Sequence, residues 1–340
     1  MNKLTILFIC ASAIVLASCQ MSAPSASSSP DARRSADVSA RRLLDAEREP
    51  SQWLTYNGSY SEQHYSRLTD ITRANVKDLG LAWFADYDTN LQQQGQPLYI
   101  DGVLYVSTAW TKVYAFDAKT GRQLWQYDPR TKGETIRKVC CGIVNRGIAA
   151  YHGKIYVGTL DGRLVAIDAR TGREVWSTLT IDANQQYSVT GAPRIAKGLV
   201  FTGVSGAEYG VRGYVSAYDA ETGKQVWRFY TVPRNPVLGQ ESKALEMAAK
   251  TWGDKNDWWT IGGGGTVWDA IVYDPKTDLL YFGTGNGTPW NQRYRDPDGG
   301  DNLFLASIVA VKASTGEYAW HYQTTPRHVG LRFGKSDDDR

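Results

Sequence analysis

Four segments of the chain share one pattern without gaps: Ala115-Phe-Asp-Ala-Lys-Thr-Gly-Arg-Gln-Leu-Trp125, Ala166-Ile-Asp-Ala-Arg-Thr-Gly-Arg-Glu-Val-Trp176, Ala217-Tyr-Asp-Ala-Glu-Thr-Gly-Lys-Gln-Val-Trp227 and Ala310-Val-Lys-Ala-Ser-Thr-Gly-Glu-Tyr-Ala-Trp320. An Asp followed by Thr-Gly is typical of a tight turn, because Asp caps backbone N–H groups and glycine accepts a positive φ. An alternating strand such as Val103–Val106 precedes each turn. The pattern predicts about four short strands per repeat, and such repeats around one axis form a β-propeller.

The fold class we expect is therefore all-β, a propeller, rather than a parallel β-helix or a sandwich. Neither alternative favours one Trp at a fixed place after a turn. A degenerate copy is predicted at Val272–Tyr281, and Trp83 is interpreted as the end of an earlier copy. Residues 50–326 would then hold about four to five blades.

Composition agrees with a folded domain. The chain has 340 residues, of which 42% are apolar and 21% charged, and it contains 12 Trp, 20 Tyr and 33 Gly. This balance excludes disorder of the whole chain, and the aromatics and glycines favour strands joined by turns. A net charge of +3 gives no electrostatic case for nucleic acid or for an anionic membrane surface.

Residues 1–19 have the pattern of a secretory signal, with Lys3 before an apolar run at 4–16. The end of this run, Leu16-Ala17-Ser18-Cys19, resembles a bacterial lipobox in which Cys19 would carry lipid; conventional cleavage nearby is the alternative. Residues 20–49 are predicted to be a flexible tether. We expect a periplasmic lipoprotein that touches the membrane only through its lipid anchor.

The repeat resembles the tryptophan-docking motif of the PQQ-dependent (quinoprotein) alcohol dehydrogenases, whose propeller has eight blades. A non-enzymatic outer-membrane assembly lipoprotein carries related repeats, so the repeat alone leaves both classes open. Motifs at four further places favour the dehydrogenases, and the resemblance implies a role for each.

The first motif is Cys140-Cys141 with Arg146. Adjacent cysteines can form a vicinal disulfide or remain separate thiols; the resemblance implies the disulfide, used as a rigid plate against the quinone. It also implies that Arg146 contacts a carboxylate of PQQ, a tricarboxylate that suits a guanidinium. Gln94 stands where the family often has a cofactor-binding Glu, so a hydrogen bond is kept and a charge lost.

The remaining motifs supply further cofactor and metal contacts by the same resemblance. Val204–Gly210 would place Glu208 on calcium and the residues Ser205, Gly206 and Ala207 against the cofactor. Upstream, Thr190 would bond the quinone.

Downstream, the stretch Gly262–Asp269 contains Thr266 and Trp268, and the indole of Trp268 would stack on the cofactor face opposite the disulfide. In Tyr281–Gly287, Asn286 would be the second calcium ligand. A carboxylate and an amide oxygen suit Ca²⁺.

The activity implied is oxidation of a small alcohol to an aldehyde, with PQQ and Ca²⁺ as cofactors and electrons passed to a cytochrome c or a quinone. The alternative is a propeller scaffold or binding lipoprotein without catalysis. Residues 327–340 depart from the family, and the aspartate that serves it as catalytic base is missing. We expect a chain truncated before that aspartate, with Asp337–Asp339 as a solvated tail and a complementary propeller chain as a candidate partner.

Overall fold

The computed structural model describes residues 35–253 and 257–327. The predicted signal peptide, the lipobox with Cys19 and residues 328–340 lie outside the described residues. Within the described ranges, none of the helices has both the length and the apolar character needed to cross a membrane.

The described residues form four sheets, each of four antiparallel strands in sequence order. Blades I and II contain β1 (Leu98–Ile100), β2 (Val103–Ser107), β3 (Val113–Asp117), β4 (Gln123–Tyr127), β5 (Ala149–Tyr151), β6 (Lys154–Gly158), β7 (Arg163–Asp168) and β8 (Glu174–Leu179). Blades III and IV contain β9 (Arg194–Ala196), β10 (Leu199–Gly203), β11 (Tyr214–Asp219), β12 (Gln225–Tyr230), β13 (Ile271–Asp274), β14 (Leu279–Gly283), β15 (Ser307–Lys312) and β16 (Tyr318–Gln323). The predicted propeller of four-stranded blades is confirmed.

Helices are short and lie between the strands. The α-helices are α1 (Ala40–Leu44), α2 (Lys243–Ala249) and α3 (Gln292–Arg295). The 3₁₀ turns are Ala46–Arg48, Val76–Asp78, Ala109–Thr111, Gly133–Lys138, Ala207–Tyr209, Pro236–Leu238 and Trp258–Ile261.

The turn between the third and fourth strands of a blade follows directly from the repeat. In blade I the Asp117 carboxylate accepts hydrogen bonds from the backbone N–H of Thr120 at 2.9 Å and from its hydroxyl at 2.8 Å. The hydroxyl first, and then the backbone donor, lower the pKa of Asp117. Gly121 follows with φ +72°. Blades II and III repeat this arrangement, while Lys312 replaces the Asp in blade IV.

Each repeat Trp joins its blade to the next. The indole ring packs on the turn glycine of the following blade, and its N–H donates to an alanine carbonyl there: Trp125 to Ala169 at 2.9 Å, Trp176 to Ala220 at 3.2 Å and Trp227 to Ala313 at 2.9 Å. The Trp recurs at the same repeat position, on the outer strand, where its ring faces the turn of the neighbouring blade. The repeat therefore determines both the sheet and the contact between sheets.

The two ends of the array of described blades differ in how their Trp residues dock. Trp83 donates to the Ala118 carbonyl at 2.9 Å and packs on Gly121, so it docks on blade I as the other Trp residues dock on their neighbours. It lies in a segment, residues 61–95, that contains no described strand. At the other end Trp320 is 41% exposed. Among the described residues the indole N–H of Trp320 has no hydrogen-bond acceptor.

Residues 36–49 differ from the predicted tether. Ala36, Val38 and Leu43 are buried against the core of blades I and II. The backbone carbonyl of Val38 accepts from the N–H of His152 at 3.0 Å. The Ser and Ala content favours a linker. The apolar side chains at these few positions bury surface, and this burial offsets the conformational entropy lost when the segment is ordered.

The predicted degenerate repeat in the long interval before the fourth repeat is not present as a docking turn. Val272–Tyr281 is not a degenerate docking turn; it spans the β13–β14 hairpin, the inner pair of blade IV. The interval is long because two insertions, residues 231–270 and 284–306, flank this hairpin.

Glycine substitutions can separate docking from turn strain. Gly172 and Gly198 both have positive φ, +70° and +75°, but a Cβ on Gly172 would lie 2.8 Å from the Trp125 ring, whereas one on Gly198 would meet nothing within 4 Å. We expect Gly172→Ala to lower the free energy of unfolding by about 1–3 kcal/mol more than Gly198→Ala, since only the first overpacks a contact. Urea unfolding measures the difference, and equal losses would contradict the docking role.

Candidate active site

Five loops meet at one end of the blades. In an antiparallel blade, the loop from the second to the third strand and the connection to the next blade leave at the same end. The loops β4–β5, β8–β9, β10–β11, β12–β13 and β14–β15 are of these two kinds. They line a cleft of about 160 Å³ whose residues are Val139, Cys140, Cys141, Gly142, Val144, Arg146, Ser188, Thr190, Ser205, Gly206, Glu208, Thr266, Trp268 and Asn286.

Arg146 provides a fixed positive charge in the cleft. Its guanidinium donates to the Thr190 hydroxyl at 2.6 Å, and that hydroxyl is 2.8 Å from the Ser205 hydroxyl. The Arg146 guanidinium also lies 4.9 Å from the centre of the Trp268 ring. A guanidinium has five N–H groups, and the bond to Thr190 uses one of them. Others can therefore bind a carboxylate.

The sulfur atoms of Cys140 and Cys141 are joined, and their Cα atoms are 3.8 Å apart. Gln92 clamps this turn, because its side-chain N–H donates to the Cys141 carbonyl at 3.0 Å and its oxygen accepts from the Ile143 N–H at 2.8 Å. Cys140 and Cys141 thus form one exposed patch of the cleft wall, held by the two Gln92 hydrogen bonds.

Trp268 forms another part of the wall. Its side chain is 44% exposed, whereas Thr266, two residues earlier on the same stretch, is buried. Gly191 allows the close approach of this stretch, since a Cβ there would lie 2.8 Å from the Trp268 carbonyl oxygen. An indole held beside a guanidinium and opposite small residues offers a flat apolar surface to an aromatic ligand.

Two oxygen donors stand together in the cleft. Glu208 follows Ala207 on a 3₁₀ turn, and the Thr288 hydroxyl donates to the Ala207 carbonyl. Asn286 is linked to the glycine run because its carbonyl accepts from the Gly265 N–H at 2.8 Å. Neither the Glu208 carboxylate nor the Asn286 side-chain oxygen accepts a hydrogen bond from the described residues, so both are available to a cation.

These two donors do not make a complete metal cage. Within residues 35–253 and 257–327, no group of three His, Cys, Asp or Glu side chains is arranged to hold a metal ion. Calcium takes 6–8 oxygen ligands. The remaining ligands of such an ion would be other oxygen atoms, from a bound molecule, water, backbone carbonyls or further side chains.

Tyr56, in the segment before β1, lies beside Gly147, the residue after Arg146. Tyr56 packs on Gly147, and the Arg194 guanidinium lies 3.9 Å from the Tyr56 ring centre. Arg194 is also paired with Glu62 at 2.7 Å, both side chains being largely buried. Burial first, and then the charge of Asp269, raise the pKa of Tyr56, so this phenol stays neutral at physiological pH.

The structure brings most of the predicted site residues together. The cleft residues that the sequence predicted are Cys140, Cys141, Arg146, Thr190, Ser205, Gly206, Glu208, Thr266, Trp268 and Asn286. Two predicted residues do not line it. Ala207 is buried behind Glu208, and Gln94 is exposed outside the cleft.

Gln92, two positions before Gln94, contacts the Cys140–Cys141 turn of the cleft. Sequence reasoning missed this residue. Gln92 belongs to no recognisable motif, because its role comes from a hydrogen bond to Cys141, a residue 49 positions later in the sequence. The cleft residues Val139, Gly142, Val144 and Ser188 were also missed. They are ordinary apolar or small residues whose only signal is their place next to a cysteine, arginine or threonine already identified.

Comparison with solved structures places this fold among quinoprotein dehydrogenases. The structure of the quinohemoprotein alcohol dehydrogenase ADHIIG from Pseudomonas putida HK5 matches with a TM-score of 0.85 at 51% sequence identity, over 86% of this chain and 43% of that one. The quinohemoprotein alcohol dehydrogenase of Comamonas testosteroni matches with a TM-score of 0.85 at 47% identity, over 88% and 45%.

Curated relatives agree. The quinohemoprotein alcohol dehydrogenase ADH IIB of Pseudomonas putida is 53% identical over 298 residues, which are 87% of this chain and 43% of the relative. This chain thus spans less than half the length of the relatives it matches. The family model described as PQQ, glucose/ethanol/alcohol dehydrogenase, beta-propeller domain, matches residues 53–329. The chain belongs to the PQQ-dependent alcohol dehydrogenase family through this β-propeller domain.

Proposed function

We propose that this chain supplies one side of a PQQ- and Ca²⁺-binding site, and that the completed propeller oxidises an alcohol to an aldehyde. The observation that carries the proposal is the cleft, in which Arg146 and the joined cysteines of one loop meet Trp268 and two open oxygen donors from other loops.

The donor set fits the cofactor. PQQ is a planar tricarboxylate, and the cleft offers it a guanidinium for a carboxylate, with the Cys140–Cys141 plate and the Trp268 indole as flat surfaces. Glu208 and Asn286 would hold Ca²⁺, because hard oxygen donors suit this ion. When bound, PQQ supplies a two-electron acceptor and Ca²⁺ a Lewis acid beside it.

The proton of the alcohol needs a separate acceptor. Glu208 is the one carboxylate among the described residues that line the cleft, and as a metal ligand it would be a poor base. We therefore assign binding to this chain and place turnover in the completed ring, where a further residue would take the proton.

The electron acceptor is proposed from the relatives. The 1-butanol dehydrogenase (cytochrome c) of Thauera butanivorans is 43% identical to this chain, and the relative from Gluconacetobacter polyoxogenes is an alcohol dehydrogenase (quinone) dehydrogenase subunit. A cytochrome c or a quinone is the corresponding acceptor here. We place the protein in the periplasm, held by lipid on Cys19, since a vicinal disulfide persists in an oxidising compartment.

The partner that completes the ring would cover both open ends. Within the part of the chain that the structure describes, no turn glycine receives Trp320, whereas the rings of Trp125, Trp176 and Trp227 each meet one. Leu81 and Phe84, beside the docked Trp83, are 80% and 73% exposed. Apolar surfaces of this kind mark an interface. We propose that further blades cover them: a Thr-Gly turn would receive Trp320, and inner strands would pair with the Trp83 segment.

A scaffold lipoprotein without catalysis is the competing function. It would explain the blades but makes no use of Glu208, Asn286 or Arg146, none of which is needed to dock one blade on another. Cofactor uptake separates the two functions.

The first experiment is titration of the purified chain with PQQ in the presence and absence of Ca²⁺, followed by absorption after dialysis. We expect one PQQ per chain, and Glu208→Gln and Asn286→Ala should each weaken Ca²⁺-dependent uptake about ten-fold or more by removing an ion ligand. Glu317→Gln, the same change on the exposed turn of blade IV, is the matched control. Absence of uptake by the unmodified chain would favour the scaffold.

The disulfide is tested by peptide mapping. Trypsin releases Val139–Arg146 from its neighbours Lys138 and Gly147, and the non-reduced peptide should be lighter by two hydrogens than the reduced one. Cys141→Ser should lower PQQ affinity, because the loose turn no longer presents a fixed plate. If the peptide from freshly purified, non-reduced protein has the same mass as the dithiol form, the bond is refuted.

Ring completion is tested with the segment of the Pseudomonas putida ADH IIB relative that follows the matched region. Mixed with this chain, it should form a complex of one copy of each in size-exclusion chromatography with light scattering. Trp320→Ala and Leu81→Ser should weaken the complex about ten-fold or more. Val237→Ser changes a side chain that is 90% exposed in the insertion before blade IV and should have no effect. Equal behaviour of all variants would contradict the assigned surfaces.

A further inference from the structure

Arg295 is a fully buried arginine at the end of α3, with 0% of its surface exposed. It lies in the insertion between β14 and β15, which also carries Asn286. Its guanidinium donates to the backbone carbonyls of Pro289 at 2.5 Å and Trp290 at 3.1 Å, and to the Asn302 side-chain oxygen at 3.0 Å. It does not line the cleft.

The side chain is charged where it lies. Burial lowers the pKa of Arg295 to about 10, against the opposing charge of Asp296, so the guanidinium remains a cation at neutral pH. Burying such a charge is unfavourable unless its donors are satisfied. The two carbonyls and the Asn302 amide oxygen accept hydrogen bonds from three of its five N–H groups, and these bonds hold the three acceptors in place.

The guanidinium also supports the backbone directly behind the cleft. A Cβ built on Gly287 would lie 2.6 Å from the central carbon of Arg295, so the glycine backbone rests on the guanidinium. Asn286 is the residue before it. On the far side, Asn302 donates to Asp296 at 2.5 Å, and its own N–H donates to the Thr251 carbonyl at 3.0 Å. The loop is thereby attached to the neighbouring insertion.

We propose that Arg295 is the positioning residue of Asn286: it fixes the loop of residues 286–290 so that the amide oxygen of Asn286 stays directed into the cleft. The inference deepens the proposed function, because it names what holds the second metal ligand. It concerns no contact with the cofactor, and so it differs from the roles assigned to the cleft residues.

The first test needs no cofactor. The Gly265 N–H donates to the Asn286 carbonyl and the Thr288 N–H to the Gly263 carbonyl, at 2.8 and 3.1 Å. In Arg295→Met these two amides should exchange hydrogen about ten-fold faster or more, because the loop loses its support, while blade amides exchange as before. Unchanged exchange at both amides would overturn the proposal.

The second test measures binding. Arg295→Met should raise the Ca²⁺ concentration needed for half-maximal PQQ uptake by about ten-fold, while PQQ affinity without Ca²⁺ stays the same. In an Asn286→Ala background the further substitution should change nothing, since the group it positions is gone. Arg295→Lys should restore part of the loss by keeping the charge. Equal losses with and without Ca²⁺, or additive losses in the double variant, would show a merely structural role.

Arg228→Met is the matched control. Arg228 also donates to a backbone carbonyl, that of Thr180 at 2.8 Å, and lies 3.9 Å from the Tyr214 ring centre, but it belongs to the outer strand of blade III. It should destabilise the fold without altering Ca²⁺ dependence. Failure of the unmodified chain to take up PQQ would count against the proposed function, and the exchange experiment would still decide the role of Arg295.

Discussion

The contact on which the rest of the structure depends is an indole lying on the Thr-Gly turn of the next blade. A blade of four short strands is too small to bury its faces alone, so it is stable only against neighbours. This contact with the neighbouring blade is made by Trp125, Trp176 and Trp227. Each donates one hydrogen bond from its indole N–H and packs one face of its ring on a turn glycine. Since the contact spans two blades, it holds each blade against the turn of the next.

The site is a consequence of that arrangement. Antiparallel order sends the same two kinds of loop to one end of every blade, and the docking contact brings those ends together. Residues far apart in sequence therefore share one cleft: Arg146 binds Thr190 across 44 positions, and Thr288 binds the Ala207 carbonyl across 81. No single blade has a site, because five separate loops each contribute part of its lining.

The repeat could be read from the sequence because its chemistry is local: Asp, Thr and Gly lie within a few positions, and the same turn recurs. The cleft residues could be named through motifs that resemble those of a known family. Gln92 and Arg295 could not, since each acts through contacts that only the folded chain creates. The composition of the segment from Ala36 favours a tether. Composition alone does not show whether a few apolar side chains pack against the core.

The open ends and the one-sided cleft are two aspects of the same geometry. A molecule bound in the cleft is contacted by loops of the described blades, and blades beyond these would contact it from the other side of the propeller axis. Blades docking on Trp320 and on the Trp83 segment would bring the missing contacts to the axis. By linkage, a ligand that binds the assembled ring more tightly than its parts also stabilises the assembly. Cofactor binding and ring completion are therefore expected to strengthen each other, with Arg146 and Glu208 contributing from this side.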